Sequence, residues 1–414
     1  MKQSVMVTLG ATALLVIGAS VVWINTDRPP RSLGRDDGHT AGTLPTPSAD
    51  NSTTTVANLP LVTWTPMPSA NHGMLHNEFR GVGAAGSSAW AVGISFNGTS
   101  DQPLIERLVG RAWQAVANRS PGTKHAELDA VAGSSPKNVW SVGRFEPTQG
   151  QERTLAEHWD GARWSVVPSA NRGIFHNELD SLIVRQTNDV WAVGHSDVNS
   201  HVTDEALIEH WNGRNWSIVA SAPLPGWYSQ LAAIATVPHS TILWAVGSQQ
   251  RGRQSTTLIE RWNGHGWSVV PSPNYGEYPN TLTGVVAVSS DDAWAVGTYF
   301  YRLVPHAVIE HWNGTYWSLV RGPLEILHHY SLSGVTAVSA RRIIAVGQVF
   351  SGRSDRTLVI ESNGSSWTVD KSADAGVGHN QLNAITSDTL GVVLAVGSYF
   401  DGRADRTLAL TSHH

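Results

Sequence analysis

TLIERWNGHGW, residues 257–267, decides how this chain folds. It reads as an apolar strand, an Asn263-Gly264 turn and a tryptophan, Trp267, that opens the next strand. Asn-Gly between two such runs is a hairpin signal, because the tight turn needs positive φ. The arrangement returns as ALIEHWNGRNW from Ala206, AVIEHWNGTYW from Ala307 and TLVIESNGSSW from Thr357. A second marker precedes each: WAVG or a close variant, with its glycine at Gly93, Gly143, Gly194, Gly247, Gly297, Gly347 and Gly397. These glycines are spaced by 50 to 53 residues. The tryptophan after the turn keeps the same register at Trp64, Trp113, Trp164, Trp216, Trp267, Trp317 and Trp367.

Within one repeat four short runs alternate in polarity and carry β-branched residues between turn signals. In the second repeat they are ELDAVAGS, VWSVG, TLAEHW and RWSVVPS. Four strands at this period predict a β-propeller. The last repeat, ending in TLALTSHH at His414, supplies three strands and no tryptophan. LVTWTPMPSAN from Leu61 matches RWSVVPSAN from Arg163 and provides the fourth. The expected fold is therefore all-β, a seven-bladed propeller over 61–414. An N-terminal outer strand closes it (a Velcro closure) and protects an edge open to aggregation.

The strand that ends in glycine, the variable loop and the strand running from Trp to Pro (WTPMP, WSVVPSP) resemble the kelch-type repeat. Bacterial extracytoplasmic proteins with WAVG…IEHWNGxxW repeats are more similar still. The resemblance covers about 350 residues and departs from kelch in having one glycine where kelch has a pair. It implies a propeller and a binding role, without a ligand. Galactose-oxidase-like enzymes are similar in fold, but their copper site depends on a cysteine-crosslinked tyrosine. This chain has no cysteine, so that activity is not implied.

The absence of cysteine also excludes disulfides, thiolate zinc sites and lipidation at cysteine. Of the 414 residues 15% are charged, and the net charge of −5 offers no basic stripe for nucleic acid. Before the propeller, an uncharged run from Ser4 to Asn25 is long enough to span a bilayer as one hydrophobic helix. Residues 1–26 are read as a signal-anchor, or as a signal peptide cleaved after Ser20. Residues 27–60, rich in Pro, Ser, Thr and Gly, predict a disordered linker. The propeller is expected outside the cytoplasm, on the cell membrane, or secreted if the leader is cut.

Repetition separates scaffold from site. Sixteen of the eighteen tryptophans fill repeat positions and are expected to wedge between blades. Glu106, Glu157, Glu209, Glu260 and Glu310 recur in five repeats and are expected to be structural acceptors. The residues that break the pattern carry the information. Three positions before the first large apolar residue of each first strand stand His76, His125, His176, Tyr228, Pro279, His329 and His379. In a closed ring the five histidines form an unbroken arc. One residue earlier, Phe175, Trp227 and Tyr278 mark an aromatic side. Histidines so placed resemble those that tie loops to blades in WD-type propellers. Otherwise they form a polar, pH-sensitive ligand rim.

No cofactor is expected, and no metal, since histidines on separate blades stand too far apart to share an ion. Arg353, Arg356, Arg403 and Arg406 lie in near-copies, GRSDRT and GRADRT, as anion contacts or solvated turns. The leading reading is a membrane-tethered, monomeric binding scaffold for a glycan, peptide or protein. The alternatives are a lyase or hydrolase with a histidine base at the channel mouth, and a structural spacer.

Overall fold

The computed structural model describes residues 12–17, 20–25 and 63–412, except 119–120, 122–123, 149, 198–203, 226, 277, 324–328, 351 and 353. The chain divides into two compact units, Met1–Leu61 and Val62–His414. In the first, the sequence predicts one helix, but the structure describes two strands. Thr12–Ile17 pairs antiparallel with Ser20–Asn25, from Thr12 opposite Asn25 to Ile17 opposite Ser20. Val16, Ile17, Val21, Val22 and Ile24 are β-branched, and their restricted side chains suit extended backbone. No helix among the described residues is long and apolar enough to cross a membrane. The predicted linker, 27–60, lies outside the described residues.

The second unit is a seven-bladed β-propeller. Each blade is a four-stranded antiparallel meander. Its innermost strands are Asn77–Ala85, Ala126–Ser135, Asn177–Gln186, Tyr228–Thr236, Asn280–Ser289, Tyr330–Ser339 and Asn380–Ser387. Each packs against its neighbours, and the seventh packs against the first. Trp64–Pro66 is the fourth strand of the seventh blade, paired with Asp405–Ser412 so that Trp64 faces Ser412.

The blades meet through tryptophans. Trp90 of blade one lies 5.0 Å from Trp159 and 5.2 Å from Trp164 of blade two. Trp140, Trp191 and Trp244 repeat this wedge into blades three, four and five. The edge-on component of these contacts places ring edges against electron-rich faces. The histidine of the IEHW strand completes the joint: His210 stacks on Trp191 and reaches Asp189 at 2.9 Å.

The WAVG glycine has a steric cause in every blade. The second strand runs so close to the first that a Cβ at Gly247 would lie 2.0 Å from the Gln230 carbonyl oxygen. The other six glycines face the matching carbonyl at 2.0–2.2 Å. Beside this approach, every innermost strand carries a bulge: Phe79/Gly81, Leu128/Ala130, Leu179/Ser181, Leu231/Ala233, Leu282/Gly284, Leu332/Gly334 and Leu382/Ala384. A bulge inserts one unpaired residue and re-aims its side chain. The inserted residues are Arg80, Asp129, Asp180, Ala232, Thr283, Ser333 and Asn383, and all seven line the central channel.

Candidate functional site

The central channel has a volume of about 210 Å³ and is built in layers. The bulge residues form its polar layer. Below them lie small residues such as Gly81, Ser181 and Gly334, then apolar ones such as Val82, Leu182 and Ile385. The polar layer is one-sided: its charges come from blades one to three, while blades four to six contribute Ala232, Thr283 and Ser333.

Above this layer, at the mouth, four of the five predicted histidines tie each blade to the one before it. His76 Nδ1 lies 3.1 Å from Asp405, and His125 Nδ1 lies 3.0 Å from Asp101. His176 pairs likewise with Glu152, and His379 with Asp355. Each of these carboxylates stands at the start of the preceding blade's third strand. Where the histidine is Tyr228, Asp204 accepts instead from Gln230, at 2.8 Å. The third strand before His329 opens on Val304, which offers it no carboxylate. The arc is thus a set of loop staples, and its histidines stand side by side without converging on one ligand.

The sequence reading missed the groups beneath the histidines. Glu78, Glu127 and Glu178, second in their strands, are bridged by Arg80 and Arg144. Arg80 Nη1 reaches Glu127 at 2.8 Å and Asp129 at 2.9 Å. Arg144 donates to Glu127 at 2.8 Å and to Glu178 at 2.6 Å. Gln381 and Asn383 of blade seven each donate to Glu78 at 2.8 Å.

Burial pushes the Glu78 carboxyl up, but the His76 hydrogen bond and the Arg80 charge outweigh it and hold it below the usual range. Burial likewise raises Glu178, and the Arg144 charge reverses the shift. Asp180, buried next to Glu178, is pushed up to about 6. The sevenfold alignment could have found this belt. The positions just before and just after the first large apolar residue of the strand are charged in blades one to three and read Gln230/Ala232, Thr281/Thr283 and Ser331/Ser333 in blades four to six.

The aromatic side is real but dispersed. Trp227 is half-buried and lines a pocket of about 610 Å³ with Leu224, Pro223 and the Arg172–Glu205 ion pair. Tyr228 and Tyr278 are exposed. Tyr278 meets Tyr301 edge-on at 5.0 Å, and Arg302 lies over the Tyr301 ring. Phe175 is half-buried. The loops that carry the histidines also expose Met74, Leu75, Ile174 and Val377. Of the four arginines singled out, Arg406 is paired with Asp401 at 2.8 Å, and Arg353 lies outside the described residues.

No family model matches this chain, and no curated protein does. Solved structures do. One described as YCF48 bound to D1 peptide aligns with 87% of this chain and all of its own, at 14% identity and a TM-score of 0.56. YCF48 from Cyanidioschyzon merolae aligns with 85% of this chain and 98% of its own, at 15% identity and a TM-score of 0.52. The likeness is one of fold.

Chemically, the mouth offers a fixed belt of alternating charge surrounded by exposed apolar loop tips. Four of its imidazoles, those of His76, His125, His176 and His379, are already engaged by carboxylates. At one place only, among the described residues, do two histidines converge: His176 Nε2 and His195 Nε2 lie 3.0 Å apart.

Proposed function

We propose that this chain is an extracytoplasmic, kelch-like scaffold that presents its channel-mouth face to a protein or peptide partner. The apolar segment of residues 4–25 tethers it to the membrane, and Trp64–Pro66 is the clasp that keeps the ring closed. The observation that carries this reading is the set of exposed apolar tips on the mouth loops. Met74 is 69% exposed, Leu75 60%, Ile174 56% and Val377 80%. Each loop is held by a histidine–carboxylate staple, so its tip is already ordered before a partner arrives. Pre-ordering lowers the entropic cost of association. Methionine and aromatic residues ringed by polar groups match the composition of protein interfaces. The peptide in the YCF48 structure's description supports the same class of partner. A glycan would use the Trp227 pocket instead.

A random peptide library panned against the purified full chain tests this. Selected peptides should bind a Leu75→Asp/Ile174→Asp double variant at least tenfold more weakly by fluorescence anisotropy. Equal binding by the variant, or no selected peptide, would sink the reading. Loss confined to Trp227→Ala would move the site to the aromatic pocket. The second reading, a lyase or hydrolase, is favoured by the pairing of His176 with His195, each with a carboxylate behind it.

A further inference from the structure

We propose that His176, His195 and Glu178 form a binding site for a divalent transition-metal ion at the channel mouth in blade three. The geometry is that of a donor set. His176 Nε2 lies 3.0 Å from His195 Nε2. Glu178 Oε2 lies 3.5 Å from the first nitrogen and 3.8 Å from the second. Nitrogens that bind one zinc-like ion at about 2.0–2.1 Å stand roughly 3 Å apart from each other. The two imidazoles are therefore already at ligand spacing.

The hydrogen bonds behind the rings decide which atoms face each other. His176 Nδ1 faces the Glu152 carboxylate, and His195 Nδ1 faces Asp180 Oδ2 at 3.1 Å. A carboxylate only accepts, so each Nδ1 carries the proton. In the neutral form of each ring Nε2 then presents a lone pair, and the two Nε2 atoms face one another at 3.0 Å. Such a contact is attractive only when a cation lies between the nitrogens, either a proton on one of them or a metal ion that displaces it.

A carboxylate behind each histidine is also how proteins orient metal-binding imidazoles and raise their basicity. The surroundings favour positive charge. Glu78, Glu127, Asp129, Glu152, Glu178 and Asp180 meet only two guanidinium groups in this network, those of Arg80 and Arg144. Arg144 Nη1 donates to the same Glu178 oxygen at 2.6 Å, so a bound ion shares that carboxylate with the guanidinium.

Two imidazoles and one carboxylate suit zinc, iron, cobalt or nickel better than calcium or magnesium. Three protein donors leave a position for water or for a side chain of a partner. Histidines on different blades stand apart, which is why the sequence predicts no metal site. This set instead takes both histidines from one blade, His176 from the loop just before the innermost strand and His195 from the second strand, directly after the WAVG glycine Gly194.

The test is a Co²⁺ titration of the untagged full chain after chelator treatment. We expect visible d–d absorption that saturates at one equivalent and is displaced by Zn²⁺. His195→Gln and His176→Gln should each weaken binding at least tenfold, while His329→Gln leaves it unchanged. His195 is buried, so circular dichroism is recorded for each variant. If His195→Gln does not fold, the half-exposed His176→Gln decides. The proposal is overturned by the absence of a Co²⁺ spectrum or by undiminished binding in His176→Gln. It is equally overturned if NMR shows a proton shared between the two Nε2 atoms and Zn²⁺ leaves their resonances unmoved.

Discussion

At the scale of single residues, the repeated glutamates show how one backbone atom sets the chemistry of a side chain. Glu209 and Glu260 are buried, and each accepts a backbone N–H from the loop of the preceding blade, Ala170 and Ala222, at 3.0 Å. The equivalent loop residue opposite Glu310 is Pro273, which has no N–H to give. Both Glu310 oxygens are buried without a described partner, and burial pushes the carboxyl up to about 8. In blade six the loop carries Pro323 and the glutamate is replaced by Ile360, a pairing that removes the orphaned acid. Folded Glu310 keeps its proton until about pH 8, whereas the unfolded chain releases it near 4.5. Its contribution to stability therefore falls as pH rises between those values. We expect Glu310→Leu to gain on the parent across that range, with the difference in urea midpoint widening from pH 5 to pH 8. Glu209→Leu should instead cost about 1–3 kcal/mol at pH 6, because it strands the Ala170 N–H. The expectation that all five glutamates are satisfied acceptors thus needs revision at Glu310, and also at Glu157, whose two oxygens are likewise buried without a described partner.

At the scale of elements, the bulge and the staple divide the work of the innermost strand. The bulge turns one residue per blade into the channel, and the histidine before the strand fixes the loop above it. The first of these was illegible in the sequence. Arg80, Asp129 and Asp180 sit where simple alternation would not bring three consecutive positions to one face, and only the inserted residue does so. The second was half legible: the histidines stood out, while their partners lie 24 residues upstream, as Asp101 does for His125, or at the far end of the chain, as Asp405 does for His76. The Glu127 carboxylate, opposed by burial and helped by Asp101, raises the His125 imidazole above its usual range. A raised histidine adds stability that is complete below its unfolded value near 6.5 and is lost as pH climbs through the folded value. A double-mutant cycle of His125→Ala with Asp101→Ala should give a coupling of about 1 kcal/mol at pH 6 and markedly less at pH 10. Equal coupling at both values would mean that the pair contributes only a neutral hydrogen bond.

At the scale of the whole molecule, these local shifts point in one direction. Burial lifts Glu106 and Glu260 to about 7 and Glu157, Glu209 and Glu310 to about 8. The Glu78 hydrogen bond lifts His76 to about 9, and Glu152 and Glu178 overcome burial to lift His176 to about 10. All seven groups hold protons more tightly folded than unfolded, so each loses stabilising effect as the solution becomes alkaline. Glu78 and Glu152 are held low by their histidines and the arginines, and their contribution is lost only as pH falls below the ordinary carboxylate range. The ring should therefore be most stable near pH 5 and lose several degrees of melting temperature by pH 9. Thermal melts from pH 4 to 10 check this. A maximum at pH 8 or above would show that the raised groups do not titrate as described.

Strands, turns and the number of blades were settled by sequence alone. Each is a short-range pattern, and repetition multiplies a weak local signal into a firm one. The glycine of WAVG and the Asn-Gly turn are backbone requirements written at fixed positions, so they read directly. Which polar side chains meet was decided only in the folded ring. Arg80 belongs to blade one and binds a carboxylate of blade two, and His176 finds His195 across a bulged strand pair. Such meetings depend on curvature, bulge and closure summed over the whole disc, and no window of sequence contains them.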